Sequence, residues 1–198
     1  MTRFLLIRHA LTSATGKALS GRSPGVLLNA EGRKQAAGLG EKLRGLPIAA
    51  VYSSPLERAL ETAKLAAAAL GALATPCEDF LEIDFGEWTG SLIHDLEDDP
   101  AFDRFNRERS AARIPGGESM FEAQQRMVTG LEKLKRLHPG QTVAVVSHGD
   151  MIKSAIAWYV GIHLDWLHRI EISPASISVI ELWDGDARIV MANGGGKT

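Results

Sequence analysis

An arginine followed by a histidine, set at the end of a four-residue apolar run, is a pairing with a chemical use. In Phe4-Leu5-Leu6-Ile7-Arg8-His9 the apolar residues read as a strand buried on both faces. The cation and the imidazole then fall at its carboxyl end, where open α/β sheets bind their ligands. Two further stretches end the same way. Residues 48–52 read as a second strand closing on Ser53-Ser54-Pro55, with Arg58 one turn on. Residues 142–146 read as a third, closing on Ser147-His148-Gly149-Asp150. If these strands are parallel neighbours, two arginines and two imidazoles meet at one edge beside a helix N-terminus, which is the makeup of a phosphoryl-binding site. Arg58 points the same way, because a cation in the first turn opposes the helix dipole unless an anion is bound there.

The elements that would position these groups alternate short β-rich runs with longer helical ones, the mark of a sheet covered by helices. Residues 13–28 read as a loop broken by Gly16, Gly21, Pro24 and Gly25. Asn29 is placed to cap a helix that turns Ala36, Leu39, Gly40 and Leu43 to one face and ends at Gly45 and Pro47. Ser54-Pro55-Leu56-Glu57 has the pattern of a capping box with proline at the first helical position, so Ser54 is expected to be a helix cap. The helix it opens continues through the alanine-rich residues 60–70. Residues 75–80 read as a short strand or extended edge, 81–90 as a structured loop, and 91–113 as short polar helices. A long amphipathic helix is expected over 118–137, with Phe121, Val128, Leu131 and Leu134 on its apolar side. Another helix follows the third strand through Tyr159. Residues 177–183 and 188–191 flank Asp184-Gly185 as a hairpin.

Composition bounds the rest. The chain has 198 residues, 45% hydrophobic and 23% charged, with a formal net charge of −2. That suits one domain, expected over residues 1–193, with 194–198 as a flexible tail. The charge gives no global field for nucleic acid or an anionic membrane, so neither is expected as a partner. The apolar run after Met1 is too short for a signal-peptide core or a membrane span. The single cysteine, Cys77, rules out an internal disulfide and any multi-thiolate metal site, and it reads as a small buried hydrophobe. These features suit a cytoplasmic protein. His163 and His168 lack the carboxylate or cysteine pattern of a zinc site, and with His94 and His138 they read as surface or half-buried side chains.

Taken together, Leu6-Ile7-Arg8-His9 with Thr12, Ser53-Ser54-Pro55-Leu56-Glu57-Arg58-Ala59 with Glu61-Thr62, Leu81-Glu82 with Gly86-Glu87-Trp88 and Gly90, Gly117-Glu118-Ser119, and Val145-Val146-Ser147-His148-Gly149 resemble the histidine phosphatase superfamily, the phosphoglycerate mutase-like group. The resemblance implies a three-layer α/β/α sandwich whose central sheet is mostly parallel with one antiparallel edge strand. It also implies phosphoryl transfer through a phosphohistidine, without metal or cofactor. On this reading His9 is the nucleophile. Arg8, Arg58 and His148 hold the phosphoryl oxygens, and Glu82 is the proton donor, with Asp84 as its rival. Thr15, Gly21 and Gly149 are expected to join Arg8, Arg58 and His148 in binding substrate. The first motif departs from the family's commoner pattern, with Ala10 for glycine, Leu11 for a polar residue and Thr15 for asparagine. Contacts in that loop are therefore expected to differ.

The expected activity is a phosphatase acting on small phosphomonoesters, because the compact length suits that branch. The alternatives are a bisphosphoglycerate-dependent mutase and a non-catalytic phosphate-binding module. A monomer or a homodimer is expected. Arg104, Arg107, Arg109 and Arg113 read equally as a lid over the substrate or as a solvated helical face, and Lys17 and Arg22 have the same two readings. Trp88 is set either to line the pocket or to pack.

Overall fold

The structure is a computed structural model, and it describes residues 1–195. Its centre is one six-stranded sheet. In chain order the strands are β1 (Thr2–Arg8), β2 (Ile48–Ser53), β3 (Ala74–Pro76), β4 (Thr142–Ser147), β5 (Ile177–Leu182) and β6 (Ala187–Gly194), and they lie in the order β3-β2-β4-β1-β5-β6. β1, β2, β3 and β4 run parallel, while β5 runs antiparallel to both of its neighbours, β1 and β6. The reversed strand thus stands one place inside the sheet, and β6 closes the edge.

β1 shows why the sheet is covered on both sides. Phe4 and Leu6 belong to one buried cluster, with Met127 and Leu131 of α4 (Met120–Leu137) and Ile152 of α5 (Gly149–Val160). Leu5 and Ile7 belong to the other, with Leu39 of α1 (Ala30–Leu43) and Ala63 of α2 (Glu57–Ala68). Successive side chains of a strand point to opposite faces, so an unbroken apolar run needs a helical layer on each. β4 repeats the arrangement with Val143 and Val145 on one face and Ala144 and Val146 on the other. The layers are α/β/α.

The helix ends follow local chemistry, with instructive exceptions. Asn29 caps α1 by accepting the Gly32 N–H. Ser119 and Glu122 form a capping box, so α4 starts at Met120, two residues later than expected. Its buried stripe is Met120, Ala123, Met127, Leu131 and Leu134, while Phe121 is 53% exposed. Phe121 stands one position past Met120 and is carried off the face that meets the sheet. The capping box expected at Ser54 does not form either. α2 begins at Glu57 with Leu56 at its N-cap and no side-chain cap bond; the Ser54 hydroxyl stands before the helix, where its oxygen accepts the Leu56 N–H. The run expected over residues 75–80 is split into β3 and a 3₁₀ turn at Glu78–Phe80.

Gly194, placed in the expected tail, pairs with Ile177 at the end of β6. Residues 196–198 of that tail lie outside the described residues. Among the described residues, no helix is long and apolar enough to cross a membrane.

Candidate active site

β1 leads through α1 on one face, while its neighbour β4 leads through α5 on the other. Such a divergence opens a crevice at the strands' carboxyl ends. The ladders continue one residue past the strands there: the His9 N–H donates to the Ser147 carbonyl and the Ser54 N–H to the Val146 carbonyl, both at 2.9 Å. Arg8-His9, Ser53-Ser54 and Ser147-His148 are thereby brought together, and Arg58 enters from the first turn of α2. The rings of His9 and His148 lie 5.2 Å apart, and His148 Nδ1 stands 3.7 Å from Glu82 Oε2. A cavity of about 280 Å³ opens here, walled in part by Arg8, His9, Arg58 and Glu82. His148 is fully buried behind it.

His9 is fixed in one tautomer. Its Nδ1 lies 2.8 Å from the Ala10 carbonyl, which can only accept, so the proton sits on Nδ1 and Nε2 keeps its lone pair. Burial first, then the Arg58 and Arg8 charges, push the ring's pKa down to about 3, against the pull of the Ala10 carbonyl. Near neutral pH the imidazole is uncharged and Nε2 can attack an electrophile.

Three buried nitrogens of the surrounding groups have no partner: Arg8 Nε, Arg58 Nη1 and His148 Nδ1. Buried donors are nearly always paired, and an anion would satisfy all three. The sister nitrogens hold these side chains in place. Arg8 Nη1 donates to the Ile172 carbonyl at 2.6 Å, Arg58 Nη2 to the Gly21 carbonyl at 2.7 Å, and His148 Nε2 lies 2.9 Å from Ser54 Oγ. Ser54 Oγ already accepts the Leu56 N–H, so its own proton is free to go to Nε2, which places the imidazole proton on Nδ1. Burial first, then Arg58, hold His148 well below the usual histidine range. His148 is a neutral donor.

Of Glu82 and Asp84, Glu82 is the carboxylate that reaches the cavity. Burial first, then the Asp150 charge, push its pKa up to about 7, with Arg58 opposing. A carboxyl half-protonated near neutrality can give a proton and take one back. Asp84, its rival, is 39% exposed, accepts the Gly86 N–H and does not line the cavity.

The loop carrying Glu82 is held by Arg126, which sequence reading missed, and by Arg22, read there as a lid or a solvated side chain. Arg126 of α4 donates to the carbonyls of Asp79, Leu81 and Glu82 and pairs with Glu118. Arg22 donates to the Glu82 carbonyl and also pairs with Glu118. Arg126 occupies an ordinary polar position in an amphipathic pattern, so nothing local singles it out.

The other expected binding residues reach the cavity in different ways. Thr15 lines it, but its hydroxyl is bonded to the Thr12 backbone and side chain at 3.0 Å. Gly21 lines it with a positive φ of 46° and supplies the carbonyl that holds Arg58. Gly149 opens α5 at the wall, and a Cβ there would stand 3.3 Å from Arg8 Nε.

None of Arg104, Arg107, Arg109 and Arg113 lines the cavity. Arg104, Arg107 and Arg113 make exposed ion pairs with Glu108, Asp103 and Glu122, and Arg109 pairs with Asp150. Lys17 is exposed. Trp88 packs: it is buried edge-on against Phe102 and Phe105, and its indole N–H donates to Asp99.

The chain is similar to known proteins over nearly its whole length. Residues 4–194 match the family model of the Histidine phosphatase superfamily (branch 1). The chain is 36% identical to the bifunctional protein Rv2228c of Mycobacterium tuberculosis over 97% of its own length and 54% of that protein's. It therefore spans about half the length of the first curated relatives it matches. It is 32% identical to phosphoserine phosphatase 1 of Hydrogenobacter thermophilus, over 92% of this chain and 87% of that one. Among solved structures, Bacillus stearothermophilus YhfR superposes with a TM-score of 0.90 at 29% identity, covering 98% of each chain.

Proposed function

We infer that this chain, which belongs to the histidine phosphatase superfamily, is a metal-independent phosphatase that hydrolyses small phosphomonoesters through a phosphohistidine on His9. The observation that supports this most directly is the set of three unpartnered buried nitrogens, Arg8 Nε, Arg58 Nη1 and His148 Nδ1, around an imidazole whose Nε2 is free.

The reaction runs in two halves. His9 Nε2 attacks phosphorus in line with the ester oxygen, forming the N–P bond as the P–O bond breaks. Arg8, Arg58 and the His148 Nδ1–H stabilise the charge on the three equatorial oxygens. Glu82 gives its proton to the departing alkoxide. The carboxylate so formed then takes a proton from water as that water attacks the phosphohistidine, which releases inorganic phosphate and restores both groups. Thr15, Gly21 and Gly149 shape the substrate side of the cavity, as one domain acting in the cytoplasm.

The test is phosphate release from a panel of phosphomonoesters in EDTA, with acid-labile labelling of the protein followed in parallel. Wild type is expected to turn over and to label, and His9→Ala to do neither. Turnover by His9→Ala would remove His9 as nucleophile. A requirement for a bisphosphorylated primer, with isomerisation instead of phosphate release, would assign the mutase activity.

A further inference from the structure

The phosphoryl subsite uses only part of the cavity. The remaining wall combines the apolar Leu19, Phe85 and Ile93 with two charged residues from the first two turns of α5, Asp150 and Lys153. Asp150 is already committed, accepting from Arg109 at 2.9 Å. Lys153 is half-buried and, among the described residues, makes no hydrogen bond or ion pair. The other cations on the wall, Arg8 and Arg58, each have one nitrogen bonded to a backbone carbonyl and another left for the phosphoryl group. Lys153 acts on Asp150 only through its charge, so its ammonium keeps its hydrogen-bond donors for a ligand. Its ammonium has three donors and no accepting capacity, so it calls for an anionic oxygen. The cavity, at about 280 Å³, lies at the lower end of the roughly 300–1,000 Å³ of pockets for drug-sized ligands, which suits a leaving group of a few carbons.

We propose that the wall formed by Leu19, Phe85, Ile93 and Lys153 is a leaving-group subsite for a small alcohol bearing a carboxylate, with Lys153 binding that carboxylate. The proposal rests on the phosphatase reading above. The carboxylate can belong to an amino acid or to a hydroxy acid. Two matched pairs of substrates separate these sources: O-phosphoserine against O-phosphoethanolamine, and 3-phosphoglycerate against glycerol 3-phosphate. In the first pair the carboxylate is replaced by hydrogen, and in the second by an uncharged hydroxymethyl group.

The experiment measures kcat/KM for all four compounds on wild type, Lys153→Met and Lys153→Arg. Ratios within one protein do not depend on how much of it is folded. Wild type is expected to favour the carboxylated member of at least one pair by about tenfold or more, the scale of a charge-assisted hydrogen bond. That ratio should collapse toward one in Lys153→Met, mainly through KM, and be kept in Lys153→Arg. A wild-type ratio near one in both pairs, or a ratio unchanged in Lys153→Met, overturns the subsite. His9→Ala is run alongside: its loss of all turnover keeps the phosphatase reading when the subsite fails, and turnover in it removes both.

Discussion

Ser54 decides what His148 can offer. With the hydroxyl donating to Nε2, the ring presents a proton at Nδ1; without it, a lone pair could face the same anion. Ser54→Ala is expected to lower kcat/KM by about tenfold. It should also cost about 1–3 kcal/mol of stability, because a buried nitrogen loses its partner. Steady-state kinetics, denaturant melts and the nitrogen chemical shifts of the His148 ring check this together. As the proposed acid, Glu82 must hold its proton in order to protonate the leaving group. With its pKa raised to about 7, kcat/KM for alkyl phosphates should fall as pH rises through about 7. In Glu82→Gln that alkaline limb should vanish and the rate fall about 10²-fold or more, with a smaller loss for p-nitrophenyl phosphate, whose leaving group needs no proton. A pH profile that stays flat through pH 8 in wild type would rule Glu82 out as the acid. At this scale, the groups that enter the cavity could be read from the chain because Arg8, His9, Arg58 and His148 each follow a strand or open a helix. Ser54, Arg126 and Lys153 could not. Ser54 reads locally as a cap, and the choice between capping α2 and orienting His148 depends on a partner 94 positions away.

The element that places Glu82 is an irregular loop, so its precision comes from what it is bolted to. Gly86 and Gly117 allow two backbones to touch: a Cβ on Gly86 would lie 2.2 Å from the Pro115 carbonyl oxygen, and one on Gly117 would lie 2.3 Å from that of Asp84. The Glu118 N–H donates to the Asp84 carbonyl, and the Glu118 carboxylate accepts the Asp84 N–H. Arg126 fastens the assembly to α4. Arg126→Met should leave the Asp79 and Leu81 carbonyls without that donor, with Arg22 still on the Glu82 carbonyl, cost about 1.5–3 kcal/mol and reduce kcat more than it raises KM, since the proposed acid moves while the phosphate-binding groups stay. Thermal melts and initial-rate kinetics on the same preparation measure both effects. Equal loss of kcat for p-nitrophenyl phosphate and for alkyl phosphates would count against an effect through Glu82. The regular elements were legible because periodicity and caps are local. Asn29 starts α1 where it should, and the apolar runs of β1 and β4 name both faces of the sheet. Phe121 misled because a helical stripe can be drawn through either side of a helix rich in apolar residues, and only the partner sheet chooses Met120.

At the scale of the molecule, the buried site makes folding depend on pH in two opposed ways. The unfolded chain protonates His9 near the ordinary value of about 6.5, whereas the folded chain resists protonation down to about 3. Stability is therefore complete above that ordinary value and is lost as pH falls from there toward 3. Glu82 acts in reverse. Its pKa rises from 4.5 to about 7 on folding, so the stability it contributes is present below 4.5 and is lost as pH rises through about 7. That loss amounts to at most about 3 kcal/mol. Glu82→Gln should accordingly melt higher than wild type at pH 8 with little difference at pH 4, and His9→Asn should flatten the acid limb. Differential scanning calorimetry across pH 4–8 measures both, and identical melting profiles would refute the linkage.

The strand order has a consequence in time. β1, which holds Arg8 and His9, pairs only with β4 and β5, and those strands begin at Thr142 and Ile177. Its earliest partner is more than a hundred residues downstream. During synthesis, which proceeds from the N-terminus at about 5–20 residues per second, β1 has no hydrogen-bonding neighbour for several seconds. Its four apolar residues are then exposed on both faces. Such long-range pairing makes folding slow, and the nascent chain presents an unpaired, sticky strand for as long as its partners are unmade. Arg8 and His9 are translated first and must wait for β4 and His148, so a ribosome-bound chain halted before β4 should be inert toward phosphomonoesters and a ready client for chaperones.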